Sequence, residues 1–186
     1  MKAFTPDRIR NVALVGPPGS GKTSLAEAML YRAGAVKRVG SVEDGTTVCD
    51  HEPEEKASGH SLTTALAVLE WQGHKINLLD TPGHQDFSED TYRALTAADS
   101  AIMLLDNRKG VESQTRKLFN VCQRRRLPIF TLVNKCDRVG EDPIGIIDDV
   151  QNELGVRAFA ATWPIRKDGR LIGVYDRADN RVVLYT

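Results

Sequence analysis

Apolar residues in this chain fall into five dense runs, and between the runs they recur every third or fourth position. The runs are NVALVG (11–16), LTTALAVLEW (62–71), KINLLD (75–80), SAIMLLD (100–106) and PIFTLVN (128–134). Their length and β-branched content predict strands. Three of them are nearly continuous in apolar side chains, which suits strands covered on both faces of a largely parallel sheet. The intervening segments carry helical spacing: Leu25, Ala28 and Met29; Phe87, Ala94, Leu95 and Ala98; Val111, Leu118, Val121 and Cys122; Ile144, Ile147, Val150 and Leu154. Strand and helix in alternation predict an α/β fold, a doubly wound and mostly parallel sheet with helices on both faces and right-handed crossovers.

Two regions break this rhythm. Residues 35–61 are polar, rich in Gly, Ser, Asp and Glu, and aperiodic, so a long loop is expected. A loop of that length within a compact domain is usually functional or disordered. Beyond Gly155 the pattern turns to short β-like pieces, RAFAATWPI, RLIGVY and RVVLYT, separated by the turn residues KDG and ADN. A small antiparallel appendage is expected there.

Composition adds mainly exclusions. The 186 residues suffice for one sizeable core. At 41% hydrophobic and 27% charged the chain is ordinary for a globular protein. Lys plus Arg and Asp plus Glu both number 25, so no overall field draws the molecule to nucleic acid, and no sequence-specific nucleic-acid partner is expected. The apolar runs are far shorter than a bilayer span, and the opening MKAFTPDRIR has no apolar signal core. A cytoplasmic protein without a membrane partner is therefore expected. Cys49, Cys122 and Cys136 are odd in number and show no metal-binding spacing, and they read as free thiols, with Cys122 on a packed helix face. Trp71 and Trp163 read as packing residues, and Arg124, Arg125 and Arg126 as a solvated helix end.

The chemistry begins at GPPGSGKTS, where Gly16, Pro17, Pro18, Gly19, Ser20, Gly21, Lys22, Thr23 and Ser24 follow a predicted strand and open a predicted helix. This is the P-loop pattern of an NTPase in its required context. Small residues let successive backbone N–H groups curl around phosphates, and the helix N-terminus adds partial positive charge. Lys22 can then reach the outer phosphates, and the Thr23 hydroxyl can ligate Mg²⁺. Asp80 ends the strand KINLLD and is placed to hold a magnesium-bound water. It opens the loop Asp80, Thr81, Pro82, Gly83, in which the Gly83 N–H can grip a γ-phosphate and the loop can order or relax with it. His84 follows, and an imidazole beside a γ-phosphate can donate to or accept from the attacking water. Finally Asn134, Lys135, Cys136 and Asp137 directly follow a strand. A carboxylate at Asp137 can accept both N1–H and the exocyclic N–H of guanine, a donor pair adenine lacks, and leaving it buried and unpaired would be costly.

With GPPGSGKTS, DTPGH and NKCD in hand, the chain resembles the translational GTPases of the elongation factor G and release factor 3 group over nearly its full length. RIRNVALVG and SLAEAMLYRAGAVKRVGSVEDGTTVCD resemble elongation factor G, whereas DTPGHQDFSEDTYRALTAADS, KGVESQTRKLF and NELGVRAFAATWPI are similar to release factor 3. The resemblance implies GTP and GDP as ligands, Mg²⁺ as cofactor, the ribosome as partner, His84 as the residue orienting water, and Ser61 as a switch hydroxyl on the metal. It also implies that residues 1–155 are a GTP-binding domain lacking its usual last strand and helix, and that 156–186 are the start of an inserted β-rich subdomain. On that basis PIFTLVN should lie near a sheet edge.

Several positions depart from the family pattern. Ser58, Gly59 and His60 stand where Arg-Gly-Ile is usual, and Pro17, Pro18 and Gly19 where His-x-Asp is common, which removes a carboxylate implied to hold a monovalent cation. The leading expectation is a GTPase with His84 and Lys22 as catalytic residues. The alternative is a nucleotide-dependent binding switch with negligible hydrolysis. A P-loop kinase or ATPase is disfavoured by NKCD.

Overall fold

The five apolar runs form one sheet. In a computed structural model describing residues 3–50, 54–55 and 61–185, strands β1 (Ile9–Val15), β2 (Ala65–Trp71), β3 (His74–Asp80), β4 (Ser100–Asp106) and β5 (Ile129–Asn134) lie in the order β2-β3-β1-β4-β5. β3, β1, β4 and β5 run parallel, and β2 pairs antiparallel with β3. The register sets Leu14 opposite Asp80 and Asp106 opposite Asn134, so the C-terminal ends of the parallel strands share one edge of the sheet. In doubly wound sheets that edge is where ligands bind.

Helices cover both faces: α1 (Lys22–Arg32), α2 (Ser88–Ala97), α3 (Ser113–Arg124) and α4 (Pro143–Leu154). Leu14, Leu78 and Leu104 pack with Ala26 and Leu30 of α1 on one face. Ala13, Val15, Met103 and Leu105 pack with Leu95, Leu118, Phe119, Val150 and Leu154 of the other three helices on the opposite face. Ala13, Leu14 and Val15 are all fully buried, which is why that stretch is apolar without alternation. Each such leucine contributes about 1.5–3 kcal/mol over an exposed one. Local chemistry fixes the helix ends: at α4 the Asp142 side chain accepts from Ile144 N, Pro143 takes the first turn, and Gly155 closes the helix at φ +65°.

The fold class agrees with the sequence reading, and several details correct it. β1 starts at Ile9 and stops at Val15, because Gly16 already leaves the strand at φ +151°. β2 begins at Ala65 rather than 62, since the Leu62 and Thr63 N–H groups are taken by Glu55 instead of the sheet. Val111 precedes α3, although it stays buried. In α4 the buried stripe is Ile146, Val150 and Leu154, and Ile144 is 58% exposed. Trp71 is 42% exposed at the end of edge strand β2 and is no core residue. The three cysteines are free, with Cys49 and Cys122 buried.

Residues 35–50 form neither helix nor strand, as their aperiodic sequence suggests. The C-terminal pieces form β6 (Thr162–Lys167), β7 (Arg170–Asp176) and β8 (Arg181–Leu184), a separate antiparallel sheet in the order β6-β7-β8. β5 lies at the edge of the main sheet, and the small sheet does not pair with it. No helix among the described residues is long and apolar enough to cross a membrane.

Candidate nucleotide site

The segment from Gly16 to Thr23 links β1 to α1. Gly21 occupies the helix N-cap in the left-handed region at φ +98°, and no side chain caps the first turn, so its N–H groups point outward as an anion cradle. A Cβ at Gly16 would come within 2.6 Å of the Leu104 carbonyl oxygen. Ser20 is 1% exposed and its Oγ has no partner among the described residues, whereas Pro18, Gly19 and Ser24 are exposed. Lys22 is 6% exposed and folds back on its own loop, donating to the carbonyls of Gly16 at 3.0 Å and Pro17 at 3.1 Å. Burial lowers its pKa to about 8, against the attraction of Asp80.

Asp80 ends β3 fully buried, and neither carboxylate oxygen has a hydrogen-bond partner among the described residues. Burial pushes its pKa up to about 6, opposed by the nearby Thr23 hydroxyl and the Lys22 charge. Thr23 Oγ1 lies 3.3 Å from Ser61 Oγ, and Ser61 in turn donates to Asp50 Oδ1 at 2.8 Å. Two hydroxyls and an orphaned buried carboxylate form an all-oxygen donor set suited to a hard divalent cation. Among the described residues no group of three or more His, Cys, Asp or Glu could hold an ion.

The loop after Asp80 is pinned on two sides. Thr81 Oγ1 donates to the Leu14 carbonyl at 2.7 Å, and the Pro82 carbonyl accepts from Thr91 Oγ1 of α2 at 3.2 Å. Gly83 is thereby pressed against the phosphate loop: a Cβ there would meet Lys22 Nζ at 2.6 Å, Pro18 N at 2.8 Å and Pro17 C at 2.9 Å. The His84 side chain is 54% exposed, with Nδ1 3.4 Å from Asp86 Oδ2. It lines a cleft of about 330 Å³ with Pro17, Pro18, Gln85 and the start of α3.

At the other end of the loop, Asn134 Nδ2 donates to the Ser20 carbonyl at 2.8 Å. Lys135 Nζ donates to the Gly19 carbonyl at 2.5 Å and to Asp106 Oδ2 at 2.8 Å. The third motif is thus tied directly to the first. Partial burial raises the Asp106 pKa, yet Lys135 and the Arg108 N–H outweigh it and hold the carboxyl below its ordinary value. Asp137 is 70% exposed and pairs only loosely with Arg138, at 3.9 Å. Asp137 is exposed here, so the burial that makes an unpaired carboxylate costly would have to come with a bound base.

Four carboxylates that sequence reasoning passed over belong to this neighbourhood. Asp106 ends an apolar strand as Asp80 does, and that parallel was a usable signal. Glu27 of α1 is fully buried and accepts from Gly40 N at 3.0 Å and Val48 N at 2.5 Å. Its signal is a charge inside an apolar helix stripe. Asp50 and Glu55 sit in the aperiodic loop and offered none. Ser58, Gly59 and His60 lie outside the described residues.

Comparison with known proteins bears on this arrangement. Residues 7–182 match the family described as Elongation factor Tu GTP binding domain. The chain is 48% identical over 183 residues to peptide chain release factor 3 of Cyanothece sp. (strain PCC 7425 / ATCC 29141), covering 96% of this chain and 34% of that protein. It is 45% identical to peptide chain release factor 3 of Trichodesmium erythraeum (strain IMS101), with the same coverage, 96% and 34%. A crystal structure of a protein from Thermus thermophilus superimposes with a TM-score of 0.91 at 38% identity, over 96% of this chain and 27% of that one. The chain therefore spans about a third of the length of the curated relatives it matches.

Proposed function

The chain belongs to the elongation factor Tu GTP-binding domain family, and we propose that it binds GTP and GDP with Mg²⁺ and hydrolyses GTP, as the nucleotide-handling part of a translation factor of the release factor 3 or elongation factor G kind. The observation that carries the reading is the contact between the three motifs: Gly83 abuts Lys22, while Asn134 and Lys135 bond to the carbonyls of Ser20 and Gly19.

Each group has a chemical task. Lys22 exchanges the carbonyls of Gly16 and Pro17 for phosphate oxygens, a stronger charge-assisted pairing. Backbone N–H groups from Gly19 to Ser24 and from Gly83 bear the charge that develops on the transferred phosphoryl group. Thr23 and Ser61 would ligate Mg²⁺ directly and Asp80 through a water. A bound Mg²⁺ would neutralise phosphate charge. His84 orients the attacking water, and Asp137 accepts from guanine N1–H and its amino group. Residues 156–186 read as the opening of an inserted β-rich subdomain after a GTP-binding unit at 1–155, the ribosome as the partner, and the cytoplasm as the location.

One observation favours the second reading, a switch with negligible hydrolysis: His84 is half-exposed and leans on Asp86. Single-turnover GTP hydrolysis with and without ribosomes separates the two. The proposal expects ribosome-stimulated phosphate release, and binding of GTP without turnover in either condition would leave only the switch.

A further inference from the structure

The base-reading loop is also held from outside the three motifs. Arg166, in β6, donates from Nη2 to the Cys136 carbonyl at 2.8 Å and to the Arg138 carbonyl at 3.3 Å. Those carbonyls belong to the residues on either side of Asp137. A planar guanidinium is a pre-organised donor, so one side chain grips the backbone on both flanks of the carboxylate.

Two independent features accord with this. The β6–β7 ladder shifts register beside Arg166: Ile165 pairs with Gly173 but Arg166 with Leu171, leaving Ile172 as the extra residue. Its carbonyl is taken by Tyr185 N at 2.9 Å. The extra residue is on β7, and such a bulge increases the local twist of the ladder where Arg166 sits. On the loop side, Lys135 holds φ +61°, a left-handed conformation that a non-glycine residue keeps only when its surroundings over-determine it.

The geometry points to Arg166 as a positioning residue for base recognition. It fixes the backbone around Asp137 so that the carboxylate meets guanine without first ordering its loop, and it makes the small C-terminal sheet part of the nucleotide site. This rests on the guanine-binding reading above. Residue spacing carries no hint of it, because the contact joins residues about 30 positions apart across two sheets.

The role predicts a loss confined to the base. Titration calorimetry with GDP, ADP and tripolyphosphate is run on the full chain, on Arg166→Ala and Arg166→Lys, and on Arg170→Ala as a control on the same small sheet. Arg166→Ala should weaken GDP by roughly threefold to tenfold, the loss expected for a charge-assisted contact at an exposed position. Its tripolyphosphate affinity should not change. Arg166→Lys should fall between, since an ammonium keeps the charge and the donors but sits on a flexible stem without the fixed plane that aims Nη2 at both carbonyls, and Arg170→Ala should match the unmodified chain. Unchanged GDP affinity in Arg166→Ala, equal losses for GDP and tripolyphosphate, or an equal effect of Arg170→Ala would each overturn the role. Equal affinity of the unmodified chain for ADP and GDP would overturn the guanine reading itself, and the role with it.

Discussion

Replacing Asp80 with asparagine should stabilise the nucleotide-free, metal-free protein and destabilise the liganded one relative to the unmodified chain. Asp80 is fully buried, without a hydrogen-bond partner for either oxygen among the described residues. Burial raises its pKa from 3.8 to about 6, and at about 1.4 kcal/mol per unit the ionised form costs about 3 kcal/mol. The folded state holds this proton more tightly than the unfolded one. The cost is therefore absent below 3.8, grows as pH rises, and is fully present above about 6. An amide removes the charge but still wants partners, so about 1–2 kcal/mol of net gain is expected above about pH 7. With a urea slope of about 2 kcal/mol/M, the midpoint in EDTA should rise by roughly 0.5–1 M. Adding Mg²⁺ and GDP at about a hundredfold over the dissociation constant should stabilise the unmodified chain by about 2.7 kcal/mol and the variant much less, reversing their order. A lower midpoint for the variant in EDTA, or equal shifts on adding ligand, would refute the argument.

Three further outcomes are expected. His84→Ala should leave GDP affinity nearly unchanged and slow ribosome-stimulated hydrolysis by roughly two to four orders of magnitude, measured by single-turnover phosphate release; turnover at the unmodified rate would remove it from the chemistry. Asp137→Asn should move preference from guanine toward xanthine nucleotides, whose C2 carbonyl accepts from the new amide, and competition binding that still favours GDP would contradict this. Asp106→Asn should loosen Lys135, with which it pairs at 2.8 Å, and speed GDP dissociation by roughly threefold to tenfold, with no change in stopped-flow release counting against the pairing.

What could be read in advance followed from local physics. The alternation of apolar runs with helical spacing dictates the layered sheet, and strand-ending Asp80 stood out because Pro and Gly follow it. Asp106 carried the same strand-end signature and was passed over for want of a turn motif behind it. Ile144 and Ile147 satisfy a helical period, as Ile146 does; only packing against the sheet selects Ile146. The exposure of Trp71 follows from β2 being an edge strand, a fact of topology that residue type does not carry. Asp50 and Glu55 lie in an aperiodic loop, and Arg166 acts across two sheets, so their partners exist only once the chain has folded.

The grip of Glu27 on Gly40 and Val48 alters the statistics of the chain that carries Ser61. Between the end of α1 at Arg32 and the start of β2 at Ala65 the chain is a loop of about 33 residues, closed at both ends by the sheet and its helix. With Val48 fastened to α1, the part that carries Ser61 becomes a loop of about 17. Closure entropy scales as three halves of RT times the logarithm of length, so this shorter loop costs about 0.6 kcal/mol less to close than the full one. Ser61 is presented at the mouth of α1 by a shorter loop, set by a carboxylate that never touches it.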